Sequence, residues 1–212
     1  MAVSRFSTSS VAQGLPKYQK VWDQTSTYSP PSFYSIATAT VDSSGASSIT
    51  FTGIPNTYKH LQIRWSGMDS RAVAPYSMVR LQVGNGSTDT GANYSWHYMS
   101  GDNRPYISIG GNGSNTFAYV SDITGNAYSG TANYTSSGII EIYDYASTAK
   151  YKTFKSLGGA NRGSGGAQTS IRGNVGIFTG AWYNTAAITN ITITCDDPNF
   201  TPNTKFALYG VK

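Results

Sequence analysis

This chain is short of the groups that run chemistry. Of its 212 residues only 10 are Asp or Glu, 2 are His and 1 is Cys. Charged residues make up 12% of the chain, about half the usual share. A single cysteine, Cys195, excludes an internal disulfide and a cysteine-based zinc site. It ends the alternating run Ile191–Cys195 and reads as a small buried hydrophobe. His60 and His97 stand far apart, with no HxH or HxxxH spacing to hold a metal. There is no GxSxG elbow for a serine nucleophile. A glycosidase pair would have to come from Asp69, Asp102, Asp122, Glu141 and Asp144. Glu141 alternates with Ile140 and Ile142, so it is expected to face solvent or an interface. The Asp196-Asp197-Pro198-Asn199 cluster has oxygens for Ca²⁺, but it is also an ordinary turn sequence. Gly110–Gly113 and Gly163–Gly166 lack the Lys-Ser/Thr ending of a phosphate-binding loop. No 18-residue apolar run is present to form a membrane-spanning helix. The first residues have no apolar stretch of the signal-peptide kind, so synthesis in the cytoplasm is expected. No enzyme activity, metal or cofactor is expected.

What remains is material for packing and contact. The chain holds 23 Gly, 16 Tyr, 8 Phe and 4 Trp. Thr, Tyr, Ile and Val suit pleated strands, and Gly and Asn suit tight turns. Alternation predicts strands at Ser35–Val41, Ser48–Thr52, His60–Trp65, Met78–Val83, Ile139–Tyr143, Tyr151–Leu157, Ile188–Cys195 and Phe206–Val211. Ser170–Trp182 reads as a long strand that its glycines bend or bulge. Residues 84–135 read as long loops with edge strands near Tyr94–Met99, Tyr106–Ile109 and Phe117–Val120. No crossover helix of the length a parallel sheet needs is present. The expectation is an all-β domain over residues 32–212, an antiparallel jelly-roll-like β-sandwich of about ten strands.

Residues 1–31 differ from this body. They are Ser/Thr-rich and end in Pro30-Pro31, which favours extended chain. Their apolar residues are isolated: Phe6, Val11, Leu15, Tyr18, Val21 and Trp22. Leu15, Tyr18, Val21 and Trp22 could share one face of a short helix after Pro16. Such a segment cannot fold alone. It reads as an extended N-terminal arm that orders by docking on a partner, with a frayed terminus as the plainer alternative.

Two surface features remain. Lys150, Lys152, Lys155, Arg162 and Arg172 lie in an acid-free window interleaved with Tyr151 and Phe154. The charge is modest for a nucleic-acid groove, and a solvated face or a contact with an acidic partner is favoured. Tyr94, Trp96, Tyr98 and Tyr106 fall among Gly, Asn and Ser, the composition of an adaptable contact surface for protein or sugar.

Several segments resemble a family of bacteriophage virion proteins, common in marine tailed phages and described as structural or tail-fibre-like. They are Ser4–Lys20 (SRFSTSSVAQGLPKYQK), Ser48–Arg64 (SITFTGIPNTYKHLQIR), Tyr151–Leu157 (YKTFKSL), Trp182–Ile191 (WYNTAAITNI) and Phe206–Lys212 (FALYGVK). Together they span most of the chain. The resemblance carries no catalytic signature. It implies a structural component of the virion, assembled in the host cytoplasm. The expected form is a capsid decoration or tail-fibre-like appendage anchored to other phage virion proteins by the arm. By analogy with phage appendages, a homo-oligomer is expected, with a trimer as the suggested form. The alternative is a tail-located adhesion module for host attachment, whose Tyr94, Trp96, Tyr98 and Tyr106 contact a host-surface glycan. Neither reading involves nucleic acid or membrane insertion.

Overall fold

A computed structural model describes residues 32–71, 76–102, 107–125, 135–162, 172–196 and 199–212. The anchors Phe6, Val11, Leu15, Tyr18, Val21 and Trp22 lie outside them, as does Tyr106. Every regular element among the described residues is a strand. In chain order these are β1 (Phe33–Thr40), β2 (Ser48–Phe51), β3 (His60–Asp69), β4 (Tyr76–Gly84), β5 (Tyr94–Asp102) and β6 (Ile107–Asn115). There follow β7 (Ala118–Gly125), β8 (Ser136–Tyr143), β9 (Lys152–Arg162), β10 (Arg172–Trp182), β11 (Asn190–Cys195) and β12 (Lys205–Val211).

Hydrogen bonding joins all twelve into one open, mixed sheet. The eight-strand part runs β1-β12-β3-β8-β9-β10-β5-β6 and is antiparallel throughout. The four-strand part runs β2-β11-β4-β7 and is also antiparallel. The junction is β3, whose last residues Met68 and Asp69 pair in parallel with Thr124 and Gly125 of β7. The all-β expectation is met.

Side chains of β7 also reach β9 and β10, which are not its hydrogen-bonded neighbours. The Ser156 hydroxyl donates to the Val120 carbonyl, and Asn174 Nδ2 donates to Asp122 Oδ2 at 2.5 Å. The approach is closest at Gly158, where a Cβ would run into Ser121. Between these strands lies the core. It includes Leu61, Ile63, Leu81, Ile123, Ile140, Ile142, Phe154 and Trp182. Most strands supply alternate residues to it, as period-two patterning requires, while β6 supplies none.

Two expectations change. The described residues between 84 and 135 are largely strand, and β7 is no edge: nearly all its residues are buried, including Ser121, Asp122 and Thr124. Its polar content suggested a loop, but those groups are hydrogen-bonded inside, so burial is affordable. Nor do glycines bulge β10, which keeps continuous register with both β5 and β9. Gly176 and Gly180 instead mark crowding: a Cβ on the first would meet the Phe178 ring and on the second the Ser95 carbonyl. The register shifts fall elsewhere, between Ser35 and Ala37, Val79 and Arg80, and Tyr94 and Trp96.

Candidate interaction surfaces

The residues expected to contact a ligand do not form one group. Tyr94 is fully buried. Its hydroxyl accepts from the Val83 N–H at 3.0 Å and lies 2.9 Å from the carbonyls of Val83 and Asp89. Burial pushes its phenol well above the ordinary value of 10. Tyr94 therefore pins the 84–93 loop and offers no surface.

Trp96 and Tyr98 follow on the same face of β5 and are half-buried. Their rings stack at 6.0 Å and 16°, and Tyr98 stacks in turn on Phe178 at 5.5 Å. Tyr119 meets Trp96 edge-on at 4.8 Å, and Phe117 meets Tyr119 edge-on at 4.9 Å. Arg80 lies over Phe117 at 4.4 Å and pairs with Asp196, which also accepts from the Tyr119 hydroxyl at 2.9 Å. Burial raises the Tyr119 pKa, and Asp196 adds to the rise while Arg80 opposes it. The result is a partly open aromatic shelf beside an ion pair, walled by β6, where a Cβ on Gly110 would strike the Tyr98 ring.

The basic window does not form a single face. Lys150 is exposed in a turn and pairs with Asp144 at 3.3 Å. Lys152 turns inward and is fully buried, donating to the carbonyls of Lys150 at 2.8 Å and Thr185 at 3.0 Å. Burial lowers its pKa, against an opposing pull from Asp144. Lys155 points out from β9. The β-strand alternation that separates Lys152 from Lys155 was readable; the burial of Lys152 was not.

The candidate carboxylates are dispersed. Glu141 accepts from the Tyr143 hydroxyl at 2.5 Å and from Gln62 at 3.4 Å. Asp144 holds Lys150 and lies 3.8 Å from His60 Nδ1. Asp69 accepts from the Ser77 hydroxyl, and Asp122 accepts from Asn174. Among the described residues no three His, Cys, Asp or Glu side chains gather as a metal site would require. Asp89 is the one carboxyl of the 84–93 loop. Burial pushes its pKa up, but hydrogen bonds from Trp182 Nε1, the Gly91 N–H and Asn93 together leave it below the usual value.

The largest unexplained feature lies on the outer face of the eight-strand part. Residues directly paired across five neighbouring strands run Ile109 (β6), Met99 (β5), Ile177 (β10), Leu157 (β9) and Ile139 (β8). All five are exposed, from 40% at Ile139 to 76% at Ile109. The next row of outward residues runs Ile107, Gly101, Val175, Gly159 and Ser137. Ile107 and Val175 are 61% and 62% exposed. No charged side chain interrupts these two rows. A soluble chain rarely exposes so continuous an aliphatic patch unless something covers it. The row above is polar: His97, Thr179, Lys155 and Glu141. Beyond Ile139 the aliphatic row ends at Arg64, whose guanidinium lies 5.1 Å from the ring centres of Phe33 and Tyr209.

The contact residues expected from the sequence are aromatics in loops, whereas these are aliphatics in strands. The signal was present: Ser156-Leu157-Gly158 and Val175-Gly176-Ile177 put the large residues of β9 and β10 on the face opposite Phe154 and Phe178. No family model matches this chain. No curated protein and no solved structure matches it either.

Proposed function

We propose that this chain is a non-catalytic structural subunit of a tailed-phage particle, a decoration or fibre-like appendage that works by being assembled. The observation that carries this reading is the uncharged aliphatic row Ile109–Met99–Ile177–Leu157–Ile139. A face of that kind is an interface core awaiting its partner. The phage assignment itself rests on the resemblance of the five segments quoted above. In this reading the body is a jelly-roll-like sandwich, with β7 and its neighbours layered on β9 and β10. Residues 1–31 tether it to other virion proteins through Phe6, Val11, Leu15, Tyr18, Val21 and Trp22.

The test is incorporation. Particles assembled with full-length chain should carry it, and particles assembled with chain lacking residues 2–31 should not, although the truncated body remains folded. Normal incorporation of the truncated form would refute the tether. Absence of the full-length chain from purified particles would refute the structural role.

A second reading is favoured by the Trp96–Tyr98 shelf, since parallel aromatic rings beside polar groups suit a sugar face. On a glycan array the body would then bind a defined set of sugars and lose them on Tyr98→Ala. Binding to none removes this reading and leaves the structural one.

A further inference from the structure

The occupant of the outer aliphatic face can be narrowed. We infer that it is a second copy of this chain, packed face to face about a two-fold axis that crosses β10 between Val175 and Ile177. The inference rests on the assembly role proposed above and names the partner of that same surface.

On β5 and β9 the two outward rows are opposite in bulk, Met99 and Leu157 in one against Gly101 and Gly159 in the other. Ile177 is flanked by Met99 and Leu157, and these by Ile109 and Ile139. Val175 is flanked by Gly101 and Gly159, and these by Ile107 and Ser137. An isologous contact needs a surface that complements itself. A two-fold axis running across the strands exchanges the two rows. Met99 of one copy then lies over Gly101 of the other, Leu157 over Gly159, and Ile177 over Val175. Each large side chain meets a small or level partner, as packed sheet faces require.

Gly101 gives independent support. A Cβ built there would meet nothing within 4 Å, and its φ is not positive. Nothing among the described residues requires glycine at this outward strand position. Glycine is disfavoured inside a strand relative to alanine, and it commonly marks close approach by another backbone. Gly173, also outward on β10, is equally open.

The size of the face fits. Five strands span roughly 24 Å and the three outward rows named above roughly 20 Å, a footprint on the order of 480 Å² before corrugation, which raises the accessible area towards the low end of interface sizes. A standard interface takes about 800 Å² from each partner. The two aliphatic rows would form its core, and His97, Thr179 and Lys155 would lie on its polar rim. A carbohydrate partner fits poorly, because the rows hold no aromatic ring. Nucleic acid fits poorly because they hold no cation.

The experiment is the mass of the full-length chain in solution by light scattering across a concentration series, for wild type, Ile177→Asp and Gly101→Val. Wild type should be a dimer at micromolar concentration. Ile177→Asp, with a charge at the centre, should be a monomer with unchanged far-ultraviolet dichroism. Gly101→Val is the decisive variant. Valine fills open space in the single chain and suits a strand, so the monomer should melt no lower than wild type. It also closes the seat for Met99, so the dimer should weaken at least tenfold. If Ile177→Asp fails to fold, Gly101→Val alone decides. A wild-type monomer at 100-fold higher concentration, a wild-type trimer, or a Gly101→Val dimer as tight as wild type would each overturn the inference. Particle incorporation is scored separately. A wild-type chain that is monomeric and still joins particles would overturn the two-fold pairing and leave the structural role standing.

Discussion

The two faces of β8, β9, β10 and β5 are made by the same strands and differ only in which residues point where. The inward face carries Ile140, Phe154, Phe178 and Tyr94, all essentially inaccessible. The outward face carries Ile139, Leu157, Ile177 and Met99, all at least 40% exposed. Both are apolar, and both lie on regular strands in continuous register. The inward face is covered by β7 and its neighbours within the chain. The outward face has no cover within the described residues. An antiparallel sheet with one solvated face normally alternates apolar with polar. Two apolar faces are the pattern of a sheet buried on both sides, and the cover of the outer one is not among the described residues.

That comparison can be broken by unequal treatment of the two faces. The largest effect is expected from truncating the inward ring: Phe178→Ala should cost about 3–5 kcal/mol of unfolding free energy. The outward Ile177→Ala, one residue away, should change the stability of the dilute single chain by no more than about 0.5 kcal/mol. Denaturant melts at nanomolar concentration measure both. Equal losses would mean that the outward row is part of the chain's own core.

The lysines offer a smaller version of the same contrast. Lys152→Met leaves the Lys150 and Thr185 carbonyls without their donor and should cost about 1–3 kcal/mol. Lys155→Met on the outer face should be close to neutral, within about 0.5 kcal/mol. A neutral Lys152→Met would show that water replaces the ammonium and that this corner is open.

Raised tyrosine phenols should also set the response to alkali. Tyr94, Tyr119, Tyr143 and Tyr145 all have phenols raised above 10 in the folded chain. Burial is the leading cause for Tyr94, Tyr119 and Tyr145, and the hydrogen bond to Glu141 for Tyr143. Above pH 10 the unfolded chain releases protons that the folded chain keeps, so unfolding free energy falls as pH rises. Lys152 works the other way just below its ordinary 10.5, because its folded pKa is lowered, and one lysine is outweighed by four tyrosines. Stability that stayed flat from pH 9.5 to 11 would contradict the buried tyrosine set. At the acid end, Asp89 adds stability that is present above its ordinary 3.8 and fades as pH falls through its lower folded value. Asp89→Asn should therefore flatten the acid limb slightly, by less than the tyrosines tilt the alkaline one.

The strands of the body were legible where alternation was clean. His60–Trp65 falls within β3 and Ile188–Cys195 covers β11, and Phe206–Val211 makes up most of β12. β7 was harder to read because Ser121, Asp122 and Thr124 carry a loop's composition, and the partners of Asp122 and Thr124, Asn174 and Ser136, come from other strands. The same limit governs Tyr94, whose loop-like setting hides a hydroxyl bonded to Val83 and Asp89. Which strands neighbour β3 could not be read at all, since β12, β8 and β7 come to it from three separate places in the chain. The outward row was missed for a related reason. Ile109, Met99, Ile177, Leu157 and Ile139 become neighbours only once the strand order β6-β5-β10-β9-β8 is known.

Hydroxyl-radical footprinting of the assembled chain, read residue by residue against the dilute single chain, tests the covered outer face most directly. Met99, Ile109, Leu157 and Ile177 should be protected on assembly, while Tyr151 and Tyr183, 58% and 42% exposed outside the two rows, keep their labelling. Equal labelling of Met99 and Ile177 in both states would contradict the account.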